Sequence, residues 1–182
     1  MRHEFPCGTR ALDFIGTLRA RRLDTPFDFL SSPAMLDAWF DESGIVPGGV
    51  GSTETDLAHA IELREAGYAL IWSRLHGRPL PHDAVETINA FAAEPPVRIQ
   101  LNSEHWTATG TINQALSQIA REMIKVAGGD ETHLLRECGR EECTQIYLDH
   151  SRGRRREWCS MSSCGSRMKA KAYRERKKAQ AS

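Results

Sequence analysis

"CGREECTQIYLDHSRGRRREWCSMSSCGSR", residues 138–167, holds four of the chain's five cysteines together with a dense cluster of arginines. The spacing is Cys138-x4-Cys143, fifteen residues, then Cys159-x4-Cys164. Two short cysteine pairs separated by a loop of this length form a metal-site pattern. Zinc suits it, because the ion accepts thiolate, asks only for a tetrahedron and does no redox chemistry. Four thiolates close the coordination shell, whereas a catalytic zinc keeps one position for water. The expected cofactor is therefore one structural Zn2+ per chain, held by Cys138, Cys143, Cys159 and Cys164. His150, the nearest histidine, reads as a loop residue, and Cys7, far off in sequence, as a small buried hydrophobe.

The elements around the cysteines support that site. Gly139 permits a tight knuckle, and "TQIYLD" reads as a strand. Trp158 is placed to pack over the metal centre. Ser160 is an N-cap for a helix from Met161 to about Lys178, so that Cys164 falls in its first turn. Knuckle, strand and a helix carrying the last two ligands make a treble-clef-like shape. Arg152, Arg154, Arg155 and Arg156 occupy the loop leading into Cys159. Arg167, Lys171, Arg174 and Lys178 recur at helical spacing and form one stripe. Met161, Cys164, Met168 and Ala172 fall on another face, expected to pack over the knuckle.

The formal net charge is zero, yet of the 24 basic and 24 acidic residues 13 and 6 lie in 134–182, leaving 11 and 18 for residues 1–133. An acidic body with a basic arm fits a polyanion partner, and equally fits a solvated tail. A metal-anchored loop and helix would present those cations from a rigid frame in a module too small for its own core. No run of about 18 apolar residues exists. The start, "MRHEFPCGTRALDFIG", does not read as a signal peptide, so the expected compartment is the cytoplasm, where thiols stay reduced.

Residues 1–130 read as a mainly α domain with one small β-hairpin, and 131–182 as the finger. "ALDFIGTL" (11–18) leans towards a helix. In "SSPAMLDAWF", Ser32 is the N-cap and Pro33 the first helical residue, with Leu36, Trp39 and Phe40 on one face and Gly44 as the stop. Thr53 and Asp56 cap the next helix, whose stripe is read as Leu57, Ile61, Arg64, Tyr68, Ile71 and Leu75. Arg64 interrupts the stripe, either as an edge residue with a solvated head or as a buried arginine organising a ligand pocket. A shorter helix in "PHDAVETINAFAAEPP" turns Val85, Ile88 and Phe91 inwards. "VRIQLNSEHWTATG" alternates around Asn102-Ser103 and reads as the hairpin, with Val97, Ile99 and Leu101 on one side. The last helix of the body carries Ile112, Leu116, Ile119, Met123 and Val126 and ends at Gly128-Gly129.

Residues 137–178 closely resemble the CGNR zinc finger, named for a Cys-Gly-Asn-Arg run at its fourth ligand. Here the run is Cys164-Gly165-Ser166-Arg167, and "LDHSRGRRREWCSM" matches the segment before it, with Gly153 also in place of an asparagine. Upstream, "LDFIGTL", "DFLSSPAMLDAWF" and "DLAHAIELREAGYALI" resemble the ABATE domain, with Gly16 where an asparagine is usual. The resemblance implies a bacterial, stress-induced transcription regulator whose finger contacts DNA, with Arg167 either touching DNA or bracing the finger. RNA binding is allowed by the same charges, although only Tyr147, Trp158 and Tyr173 lie nearby as stacking platforms. The upstream domain is expected to sense a small-molecule effector or to form a homodimer. His3, His59, His76, His82 and His105 show no HExxH-like spacing, and no GxSxG or phosphate loop occurs, so no enzyme is expected. The alternative is a ligand-binding or enzymatic upstream domain with the finger as a structural or protein-contact module.

Overall fold

A computed structural model describes residues 3–180. Six α-helices and three two-stranded antiparallel sheets follow one another among them. Helix α1 (Arg10–Ile15) starts at Thr9, whose side chain accepts the Leu12 N–H. It is a single short turn and a half, and Leu18 already belongs to strand β1 (Leu18–Arg19), paired with β2 (Phe27–Asp28). Helix α2 (Pro33–Ser43) begins at Ser32 with Pro33 in its first turn and ends on left-handed Gly44, as its sequence predicts. Helix α3 (Glu54–Leu75) carries the Thr53–Asp56 capping box in full. Helix α4 (His82–Ala93) buries Ala84 and Ile88 against α3 and α5. Strands β3 (Arg98–Leu101) and β4 (Trp106–Thr109) make the hairpin, and α5 (Ile112–Gly128) closes the body.

The core is built where α1, α2, α3 and α5 meet. Trp39 is wholly buried and takes Phe5, Phe14 and Phe40 at ring-centroid distances of 5.8, 5.0 and 5.5 Å. Tilted and edge-on rings of this kind add to the burial of their large apolar area. Two readings shift. The buried side of α3 is Leu57, Ala60, Leu63, Arg64, Gly67, Leu70 and Ile71, while Ile61, Tyr68 and Leu75 sit at its edges. The hairpin forms, but its apolar side is covered only in part: Val97 and Ala108 are buried, whereas Ile99, Leu101 and Trp106 are exposed.

Arg64 departs from the first expectation, that of a solvated head, and is the buried arginine of the second. Its guanidinium is buried, donates to both carboxylate oxygens of Asp28 at 2.6 and 2.9 Å, and reaches Glu65 at 2.8 Å and Thr17 at 3.5 Å. The head is buried and paired with Asp28. It ties β2 to α3.

After a 3-10 turn at Asp130–Leu134, strand β5 (Leu135–Glu137) pairs with β6 (Ile146–Leu148). All three residues of β6 are buried, because one side meets the knuckle and the other the body. A wide π-type turn, Met161–Gly165, leads into α6 (Ser166–Gln180). Among the described residues no helix is long and apolar enough to cross a membrane.

Candidate metal centre and nucleic-acid interface

The four cysteines converge. Cys138 and Cys143 flank a turn closed by the Cys143 N–H on the Arg140 carbonyl at 2.8 Å. Cys159 and Cys164 straddle the N-cap of the π-type turn, where Ser160 accepts the Ser162 N–H. All four sulfurs lie within 4.8 Å of one another and all four residues are buried. Cys143 and Cys159 Sγ are 3.9 Å apart, and Cys159 and Cys164 Sγ 3.6 Å. A tetrahedron of Zn–S bonds of about 2.3 Å has edges of about 3.8 Å, so the donors fit that ion. These separations are far beyond a disulfide bond of about 2.05 Å, and all five cysteines are free.

The crowded sulfurs do not titrate alike. Hydrogen bonds from Cys143 and Cys159 lower the Cys138 thiol to about 6, and those from Cys138, Cys143 and Cys159 hold Cys164 well below its ordinary value. The same sharing pushes Cys143 and Cys159 up. A dication that all four can ligate as thiolates resolves that conflict. The centre is a site for one structural zinc ion.

Trp158 seals it. Its ring lies against both ligand-flanking glycines: a Cβ on Gly139 would stand 3.3 Å from the ring, and one on Gly165 would stand 3.2 Å from it. The Gly139 N–H also donates to the Glu157 carbonyl at 2.8 Å. Of the residues expected to pack over the knuckle, Met161 does lie against the ligand turn, its Sδ 2.8 Å from where a Cβ on Gly165 would stand, although much of it is exposed. Ala172 is exposed, Met168 is half-buried, and no residue of α6 is buried.

The basic residues divide in two. Arg152, Arg154 and Arg155 are exposed on the loop, and Arg167, Lys171, Arg174 and Lys178 are exposed along one side of α6. Lys169 and Arg176, absent from the sequence-based set, occupy the opposite side, so the helix is cationic nearly all round. Arg156 belongs elsewhere and is withdrawn from the phosphate-contact set. Its guanidinium lies over the Tyr147 ring at 4.3 Å. It donates to the carbonyls of Trp158 at 2.8 Å, Pro6 at 2.8 Å, and Cys159. A cation spent on three carbonyls and a ring is a clamp, not a phosphate contact.

Sequence reasoning missed how deeply the finger is sewn into the body. Gln145 donates to the Gly16 carbonyl at 2.9 Å and accepts from the Cys7 thiol at 3.0 Å. A Cβ on Gly16 would stand 2.2 Å from the Gln145 amide oxygen, so a side chain here would displace that amide from its bonds to Gly16 and Cys7. The Leu148 N–H donates to the Cys7 carbonyl at 2.9 Å, and Arg22 reaches the Glu141 carbonyl at 2.9 Å and pairs with Glu137. Cys7 is the expected buried residue, its thiol pushed up by burial. His150 is exposed, 3.8 Å from Glu131. The visible signal was "LRARRL" (18–23), three arginines inside an otherwise acidic domain.

A helical body with a four-thiolate zinc knuckle and a projecting basic helix is a zinc-finger protein of mainly α architecture. The chain belongs to the ABATE family, described as "Putative stress-induced transcription regulator", whose model matches residues 8–130; a CGNR zinc finger model matches residues 135–177. No curated protein matches it.

Proposed function

We propose that this chain is a non-enzymatic, DNA-binding transcription regulator of a bacterial cytoplasm, in which zinc holds the 152–155 loop and helix α6 as the duplex-facing surface. The observation that supports this most is α6 itself: fifteen residues, none buried, with cations on every side. An unburied helix of this length is marginal in water by itself. The zinc-ligated turn fixes its first residues, and phosphates would neutralise the rest. The acidic body does not compete for the duplex.

Selection of bound sequences from random duplex DNA, with zinc-stripped protein as control, tests the reading. With about five phosphate contacts, log K should fall against log salt with a slope near −4.5. Replacing Lys171, Arg174 and Lys178 together by alanine should flatten that slope by about 2 to 3 and leave the zinc content unchanged. Wild-type protein that binds no duplex at low salt, or binds RNA far better, would sink it.

A further inference from the structure

Between the body and the finger runs a cleft made of two adjoining cavities of about 260 and 290 Å³. Arg19, Phe29, Ser163 and Arg167 line both. Arg19 and Phe29 come from the body, Ser163 and Arg167 from the last ligand turn and the start of α6. Two side chains of the shared lining are unspent. Arg167 and the Ser163 hydroxyl make no hydrogen bond or ion pair among the described residues. The Arg19 guanidinium makes no hydrogen bond; it lies 3.8 Å from the exposed Glu4 carboxylate and 4.9 Å over the Phe29 ring, and its Nε is buried without a partner. His3 lines the first cavity with its side chain 96% buried and its Nε2 also without a partner. Buried polar atoms left unpaired each carry a desolvation cost, and in native proteins such atoms are met by water, an ion or a ligand.

The apolar groups are equally unexplained. Leu23 and Phe27 line the second cavity and stay 41% and 64% exposed. Apolar walls with a few convergent polar groups are the common form of a small-molecule site. The cleft also holds acids. Glu4 lines the first cavity 3.8 Å from Arg19, and Asp13 accepts the Cys7 N–H at 2.8 Å and lies 4.0 Å from Arg10. Arg140 pairs with Glu142, and the zinc ligands Cys143, Cys159 and Cys164 wall the second cavity. The carboxylate end of a ligand is therefore placed at the shared rim, where Arg19 and Arg167 are the cations.

We propose that this cleft binds a small amphipathic carboxylate, its head between Arg19 and Arg167 at Ser163 and its apolar body on Leu23, Phe27 and Phe29. Guanidinium forks match a carboxylate in geometry as well as charge. Because Arg167 starts the basic side of α6, the ligand and the duplex draw on one side chain. This regulatory half rests on the DNA-binding reading: the carboxylate lowers duplex affinity, and by linkage the duplex lowers carboxylate affinity by the same factor.

Benzoate is the first probe, titrated into the zinc-loaded full chain without DNA and followed by amide chemical shifts. Saturable shifts should map to residues 16–29 and 163–168. Benzamide, which lacks the charge, and inorganic phosphate, which lacks the body, should bind at least about tenfold more weakly. Arg19→Met and Arg167→Met should each weaken benzoate by about tenfold or more. Arg167 is an exposed residue, so its variant folds even if the Arg19 variant does not. No saturation by benzoate, equal binding of benzamide or phosphate, or an unchanged affinity in Arg167→Met overturns the site. Duplex affinity is measured separately, with Arg19→Met expected to match wild type and to lose its response to benzoate. Benzoate binding with no change in duplex affinity overturns the regulatory half. A chain that binds benzoate and no duplex removes the DNA reading and leaves the site standing.

Discussion

The helical body and the finger reach order by opposite means. The body buries Trp39, Phe14, Phe40 and Leu116 completely in one apolar centre. The finger ends in a helix that buries nothing, and its knuckle converges on four sulfurs. Burial at about 25 cal/mol per Å² sustains the first. The second depends on metal ligation and on side chains borrowed from the body. The difference shows that a segment can be rigid where it holds metal and bare where it meets a partner.

Removing the metal breaks the comparison most completely. Structural zinc supplies on the order of 10 kcal/mol to such modules. Cys159→Ser, or chelation of the wild type, should therefore unfold residues 138–180. Loss should also reach residues 5–22, because Gln145, Arg156 and Arg22 join that segment to the knuckle. Hydrogen exchange should show protection lost there and kept in α3 and α5. Full protection of residues 5–22 after zinc removal would show that the seam between the regions contributes little.

Two neighbouring arginines sharpen it. Arg156→Ala removes the clamp from three carbonyls and should cost about 3 kcal/mol. Arg155→Ala removes an exposed side chain and should change stability by under about 0.5 kcal/mol. It should instead weaken duplex binding and flatten the salt slope by about 1. Denaturant titrations and duplex titrations of both variants check the contrast, and equal stabilities would refute the clamp.

A smaller effect than the loss of the clamp lies under the seam. Burial pushes the Asp13 carboxyl from 3.8 up to about 6. The folded chain then holds a proton between those values that the unfolded chain has released. This contribution to stability is present below the unfolded value and is lost as pH rises through about 6. Asp13→Asn removes the titration and keeps an acceptor for the Cys7 N–H. The variant should gain on wild type by up to about 2 kcal/mol between pH 4.5 and 7.5. Zinc ligation has the reverse dependence, since thiolates protonate as pH falls. The difference between two zinc-saturated chains, measured by denaturant titration, isolates Asp13; a constant difference across the range would refute the shift.

What could be read from the chain alone was local. Ser32-Pro33, Thr53 with Asp56, and Gly44 mark helix ends because a cap involves only residues three or four apart. Cys138, Cys143, Cys159 and Cys164 announce their metal because ligand spacing is a property of short loops. The charge division between body and finger needed only counting. Tertiary structure decided what depends on distant partners. Arg64 is buried because Asp28, 36 residues away, meets its guanidinium. Arg156 is a clamp and Arg155 is not because Pro6, 150 residues away, lies beside one and not the other. Gly16 has no free space beside it only because the Gln145 amide, 129 residues away, fills it. The cleft exists only where Arg19 and Arg167, far apart in the chain, come to line the same walls. Charge and spacing are written along one dimension, whereas pairing and desolvation are settled by which groups folding brings together, and no local pattern records that.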